Sequence, residues 1–131
     1  MKHINYFPEY TPLEHNKGEL IIYCSLCDKK AIIFDFDEKN GLVEIMSAQR
    51  AYVVKFPNVK RLREQLKKGE YRDFHDFLIK EDCEGLDYYC PECDKIYCID
   101  HYEITPYFDS PVFYDYSMGK CPFGHERIVD D

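Results

Sequence analysis

Four short Cys/His pairs constrain this chain more than any other feature. Cys24-Ser25-Leu26-Cys27 and Cys90-Pro91-Glu92-Cys93 are C-x2-C pairs, Cys98-Ile99-Asp100-His101 is C-x2-H, and Cys121-Pro122-Phe123-Gly124-His125 is C-x3-H. A spacer of two or three residues lets one tight turn aim two side chains at the same ion, with Zn–S near ~2.3 Å and Zn–N near ~2.0–2.1 Å. Proline after the first cysteine, in Cys90-Pro91 and Cys121-Pro122, presets φ for such a turn, and Gly124 can take a positive φ. The expected cofactor is therefore structural Zn²⁺, one or two ions, with Cys24, Cys27, Cys90, Cys93, Cys98, His101, Cys121 and His125 as ligands.

A disulfide scaffold is the competing reading of a cysteine-rich chain. Seven cysteines make an odd count, and Met1–Glu9 has no apolar stretch before a small-residue cleavage site. No secretory signal is expected from that, and a cytoplasmic location is. Cys83 belongs to no pair. It reads as a small buried hydrophobe, with replacement of Cys24 or Cys98 as a ligand the alternative.

Only four residues separate Cys93 from Cys98, too few for a hairpin to leave an ion and return to it with fresh ligands. The two adjacent pairs should serve different ions. Two pairings remain open. Interleaved, Cys24, Cys27, Cys98 and His101 hold one zinc, and Cys90, Cys93, Cys121 and His125 hold the other. Sequential, Cys24, Cys27, Cys90 and Cys93 form one site, and Cys98, His101, Cys121 and His125 the second.

The run Cys90-x2-Cys93-x4-Cys98-x2-His101 resembles the middle of AN1-type and FYVE-type zinc fingers. That resemblance, confined to residues 90–101, implies cross-brace, treble-clef-like geometry and so the interleaved pairing. Tyr107 stands where an AN1 finger has a further His, and an acidic region replaces the basic lipid-binding cluster of a FYVE finger. What the resemblance implies is metal geometry and not those families' functions.

The rest of the chain reads as strands and short helices. Glu19–Tyr23 and Ala31–Phe36 should flank the first pair as a zinc-knuckle hairpin, and Asn40-Gly41 should turn the chain into Leu42–Met46. Ala51–Phe56 is a further β-like run. Asn58 should cap a helix that runs to about Lys68, with Val59, Leu62 and Leu66 on its inner face; a second helix should cover Tyr71–Ile79. Leu86–Tyr89 and Pro111–Tyr116 read as strands that lead into the second and last pairs. The expected fold class is α+β: a small zinc-stabilised domain of knuckle β-hairpins, ribbon or treble-clef-like, with one or two helices inserted between the first and second Cys pairs. The length of 131 residues fits a single domain. Its expected parts are an irregular arm (1–18), a β-rich part with the first pair (19–56), a helical insertion (57–80) and a zinc-binding C-terminal part (81–131).

Eight ligands for two ions leave no coordination position open, which speaks against metal-assisted catalysis. His101-Tyr102-Glu103 has the H-x-E form of a zinc deaminase, but no P-C-x2-C follows it. No phosphate loop or nucleophile elbow is present. His3, His15 and His75 stand alone.

Charge is divided along the chain. Residues 55–72 carry seven positive and two negative charges, whereas residues 73–131 carry four positive and fifteen negative, net −11. The acidic half would repel phosphates, so nucleic acid is disfavoured as a partner. No run of 18 uncharged apolar residues exists to span a membrane. The aromatic tract Tyr107, Phe108, Phe113, Tyr114 and Tyr116 is interspersed with Asp109 and Asp115. Acidic charge with tyrosine anchors suits a basic protein partner. The expected function is a non-enzymatic zinc-binding protein that acts as an acidic protein–protein interaction or inhibitory module, such as an immunity-type inhibitor of a basic nuclease. A zinc-dependent enzyme with an open coordination site is the alternative, and a ubiquitin-type zinc-finger adaptor a third. The sequence sets no oligomeric state.

Overall fold

The computed structural model describes residues 5–6, 18–81 and 83–130, so most of the expected 1–18 arm lies outside the described residues. Asn5–Tyr6 (β1) pairs antiparallel with Arg50–Lys55 (β5). Leu20–Tyr23 (β2), Lys30–Asp37 (β3) and Leu42–Ser47 (β4) complete a five-stranded antiparallel sheet of order β1-β5-β4-β3-β2. In β3, Ala31, Ile32, Ile33 and Phe34 are all buried, so this central strand is covered on both faces.

Two helices lie on the sheet. Val59–Lys67 (α1) is capped by Asn58, whose Oδ1 accepts from the Arg61 N–H at 3.1 Å, and it buries Val59, Leu62 and Leu66. Arg72–Lys80 (α2) buries Phe74, His75 and Leu78. Phe74 meets Phe34 and Phe56 edge-on, at ring-centroid distances of 6.0 and 5.7 Å. The basic surface of these helices turns partly to the protein's own acids. Arg63 pairs with Glu19 and Glu38 and lies over the Phe36 ring, and Arg72 donates to the Pro91 carbonyl.

Two further sheets follow. Tyr89–Cys90 (β6) and Lys95–Ile96 (β7) form a minimal hairpin. Glu103–Ser110 (β8), Phe113–Lys120 (β9) and Glu126–Asp130 (β10) form an antiparallel sheet of order β10-β9-β8.

This overturns the expected α+β class. The described residues are mostly β, in three antiparallel sheets, with two nine-residue helices as a minor component. The difference comes from the C-terminal part, where the sequence shows one strand over 111–116 and the structure has three, β8 to β10. Residues on β8 are largely exposed on both faces, so apolar and polar residues do not alternate there. Pro106 also disguises the strand, and is tolerated because β8 is an edge.

The buried residues divide into two cores. One, between the large sheet and the helices, is built from Ile32, Phe34, Ile45, Leu62, Leu66, Phe74 and their neighbours. The other contains Cys24, Cys90, Cys98 and Cys121 with Tyr88, Tyr97, Tyr102 and Val129. A buried ion pair joins the two regions. Arg50, at the start of β5, donates to Asp87 in a forked geometry and to the Val129 carbonyl of β10 at 3.3 Å. Ser47 donates to the same carboxylate at 3.1 Å. Burial opposes the charge of Arg50, but Asp87 outweighs it and holds the guanidinium protonated. Arg127 of β10 adds a second tie: it donates to the carbonyls of Glu84, Leu86 and Tyr89 at 2.6, 2.6 and 3.1 Å.

Candidate functional site

The first knuckle is the turn between β2 and β3. The Cys24 N–H donates to the Lys29 carbonyl at 2.8 Å, and the Cys24 sulfur accepts from the Leu26 N–H at 3.4 Å. The second knuckle is the β6–β7 turn. There Asp94 sits at φ 55°, its N–H donates to the Cys90 carbonyl at 2.7 Å, and the Cys90 sulfur accepts from the Cys93 N–H at 3.4 Å. The last pair occupies the turn between β9 and β10. Gly124, at φ 91°, lets the chain close so that the Cys121 sulfur accepts from the Phe123 and His125 N–H groups at 3.3 and 3.4 Å.

Two hydrogen bonds join the first knuckle to the chain just before Cys98. The Ser25 N–H and its hydroxyl both donate to the Ile96 carbonyl at 2.9 Å, laying the first knuckle against β7, just before Cys98. Cys24, Cys27, Cys98 and His101 converge, as do Cys90, Cys93, Cys121 and His125, with the ligand atoms of each group all within 4.8 Å of one another. This is the interleaved arrangement. In each group two cysteines are buried and the third ligand cysteine and the histidine are half-buried.

The spacing within the groups fits a metal ion and not a disulfide. A tetrahedron with ordinary zinc bond lengths has edges of ~3.8 Å between sulfurs and ~3.5 Å between sulfur and nitrogen. In the first group Cys27 and Cys98 are 3.6 Å apart at sulfur, and His101 Nδ1 is 3.6 and 3.3 Å from Cys24 and Cys98. In the second, Cys93 and Cys121 are 3.8 Å apart, and His125 Nδ1 is 3.5, 3.3 and 3.2 Å from Cys90, Cys93 and Cys121. Bonded sulfurs would lie at ~2.05 Å. Both histidines face the thiols through Nδ1, and the far nitrogen of His125 meets the Glu92 carboxylate at 3.3 Å.

The thiols of each group differ in acidity. Burial raises the Cys90 and Cys98 thiols to about 11, and the neighbouring cysteine side chains add to the rise. Burial also works to raise Cys24 and Cys121, but backbone N–H donors outweigh it and bring both to about 7. Thiolates drawn this close repel one another, and a divalent cation among them removes that repulsion.

The sequence of residues 14–131 matches the model of a family described as a domain of unknown function, DUF8328. The chain belongs to the DUF8328 family. No curated protein matches it, and no solved structure does. The likeness of residues 90–101 to AN1 and FYVE fingers is thus one of ligand spacing: the matched family is one of unknown function, and the Cys98–His101 and Cys121–His125 pairs lie on turns.

Two features of the DUF8328 chain had no signal in the sequence. Ser25, a spacer residue, ties the first knuckle to Ile96, and Arg50 and Asp87 meet across 37 positions. Cys83 packs half-buried at the margin of the apolar core, away from both groups. No helix among the described residues is long and apolar enough to cross a membrane.

Proposed function

We propose that this protein is a non-enzymatic zinc-binding module. In it the two Cys3His groups hold structural Zn²⁺, and the sheet beyond them presents an acidic, aromatic surface to a basic protein partner. The observation that carries the metal reading is closure. Each group offers four protein donors at tetrahedral spacing, which leaves no position for water or substrate.

The docking reading is supported by the β8–β9 hairpin. Tyr107 stacks on Tyr116 across the strands at 5.1 Å, and Phe108 meets Tyr114 edge-on at 5.9 Å. Beyond them Val112 is 79% and Phe113 67% exposed, on a hairpin that also carries Asp109 and Asp115. Exposed rings among carboxylates favour a partner that supplies cationic and apolar groups together, and the net −11 of residues 73–131 would steer its approach.

Elemental analysis of purified protein should find two zinc ions per chain. The docking reading is tested by capture of basic proteins, nucleases among them, at low and high salt. Retention that weakens with salt and is lost in Phe113→Ser supports it; retention of acidic proteins, or indifference to salt, overturns it.

A further inference from the structure

A cleft of about 710 Å³ opens between the turn that joins β4 to β5 and the β8–β10 sheet. That is the size of a small-ligand site. Its lining includes the rings of Tyr88, Tyr102 and Tyr114, the aliphatic Ile104, and the carboxylates Glu103 and Asp130. Tyr88 and Tyr102 meet edge-on at 5.6 Å. Tyr88 holds a φ of 59°, a costly conformation for a bulky residue, and its neighbours Leu86 and Tyr89 are gripped by Arg127. Gly119 leaves room for the Tyr102 ring, since a Cβ there would come within 2.4 Å of it.

The charge of the cleft determines what it can take. Arg50 also lines it, but that guanidinium is neutralised by its forked bond to Asp87. Asp130 accepts from the Tyr114 hydroxyl at 2.9 Å and lies 3.9 Å from Arg50, and Glu103 is exposed at the rim. Counting Asp87 with its partner and Arg127 beside Tyr102, the charges of Arg50, Arg127, Asp87, Asp130 and Glu103 leave a surplus of one negative charge. An anion would meet repulsion, whereas a cation would meet carboxylates and the exposed Tyr114 ring together. A planar guanidinium fits such a site better than a compact ammonium, because it stacks on rings while it donates to carboxylates. The cleft is continuous with the docking hairpin through Tyr114 and Pro106.

We infer that this cleft is the specificity pocket of the docking surface and receives an arginine side chain of the partner. The inference rests on the acidic-docking reading and names what that surface recognises.

The test uses the zinc-loaded 131-residue chain titrated with Nα-acetyl-arginine methylamide, followed by calorimetry and amide chemical shifts. Saturable binding with shifts at Tyr88, Tyr102 and Ile104 is expected. The citrulline analogue, of the same shape but uncharged, should bind about tenfold more weakly. Glu103→Gln, at an exposed position, should weaken arginine binding several-fold, and Ile104→Trp should abolish it by filling the space. Equal binding of citrulline, shifts confined to other surfaces, or no saturable binding would overturn the pocket. Phe113→Ser separates the two readings: it should leave binding of the arginine analogue unchanged while it reduces capture of basic proteins. If the analogue binds as described and no basic protein is retained, the docking reading and the pocket's role in partner recognition both fail, and only the guanidinium site stands.

Discussion

The two cores of this protein are built on different physics. The core under α1 and α2 is aliphatic and phenylalanine-rich, with Ile32, Phe34, Ile45, Leu62 and Leu78 almost fully buried. Burial of apolar area on that scale needs no further device. The second core has four buried cysteines, three tyrosines and one valine. Its strands are short or lie at edges, and its outer sheet is exposed along much of β8 and β9. A region with so little apolar volume would gain from a cross-link, and metal held by the two Cys3His groups would supply one. The lesson is that one chain can stabilise adjacent regions by unrelated means, and that removing one means should be felt unevenly.

The largest expected effect is metal removal. Apparent zinc binding in finger peptides is worth about 10–16 kcal/mol, comparable to or larger than the ~5–15 kcal/mol stability of a domain. Chelation, or Cys121→Ser, should abolish amide-exchange protection in β6–β7 and β8–β10 while β3 and β4 lose less. Uniform loss, or none, would erase the distinction between the two cores. Acid should act in the same direction, because thiolates and imidazole must be deprotonated to bind metal. Metal should therefore be held at neutral pH and released as pH falls, which a zinc-sensitive dye would follow.

Next in size is the tie between the regions. Asp87→Asn leaves the buried Arg50 with only Asp130, 3.9 Å away, as counter-ion, and a broken buried pair costs about 3–5 kcal/mol. Denaturant unfolding should show that loss, with zinc content unchanged in the folded state. A cost below about 1 kcal/mol would mean that the two regions are not joined there.

Leu62→Ala removes a side chain that is 1% exposed in the aliphatic core, and should cost about 2–5 kcal/mol. It sharpens the comparison because zinc affinity should stay within error of the parent; a parallel fall in affinity would show one cooperative core. The smallest effect is expected at Glu92→Gln. This residue faces the far nitrogen of His125 at 3.3 Å but is well exposed, so competition with a chelating dye should show zinc affinity lower by up to about tenfold.

Both knuckles were legible in the sequence, because a C-x2-C turn is a local object: its spacing and its N–H···S bonds, and in the second knuckle Pro91, all lie within a few residues. The same holds for β2 to β5 and for both helices, whose periodicity, turn residues and Asn58 cap are written in consecutive positions. The β8–β10 sheet was largely hidden, since a strand exposed on both faces has no alternation to read.

By itself the sequence determined the donors: eight residues in four pairs, each pair held on its own short turn. Only the tertiary structure decided their partnership. The Ser25–Ile96 bonds span 71 positions, and the Arg50–Asp87 pair, which joins the two regions, spans 37. No local pattern encodes contacts of that range, because they exist only once both elements have folded and packed. The cleft beside Tyr88 has the same origin: its walls come from segments that meet in space and are nowhere adjacent in the chain.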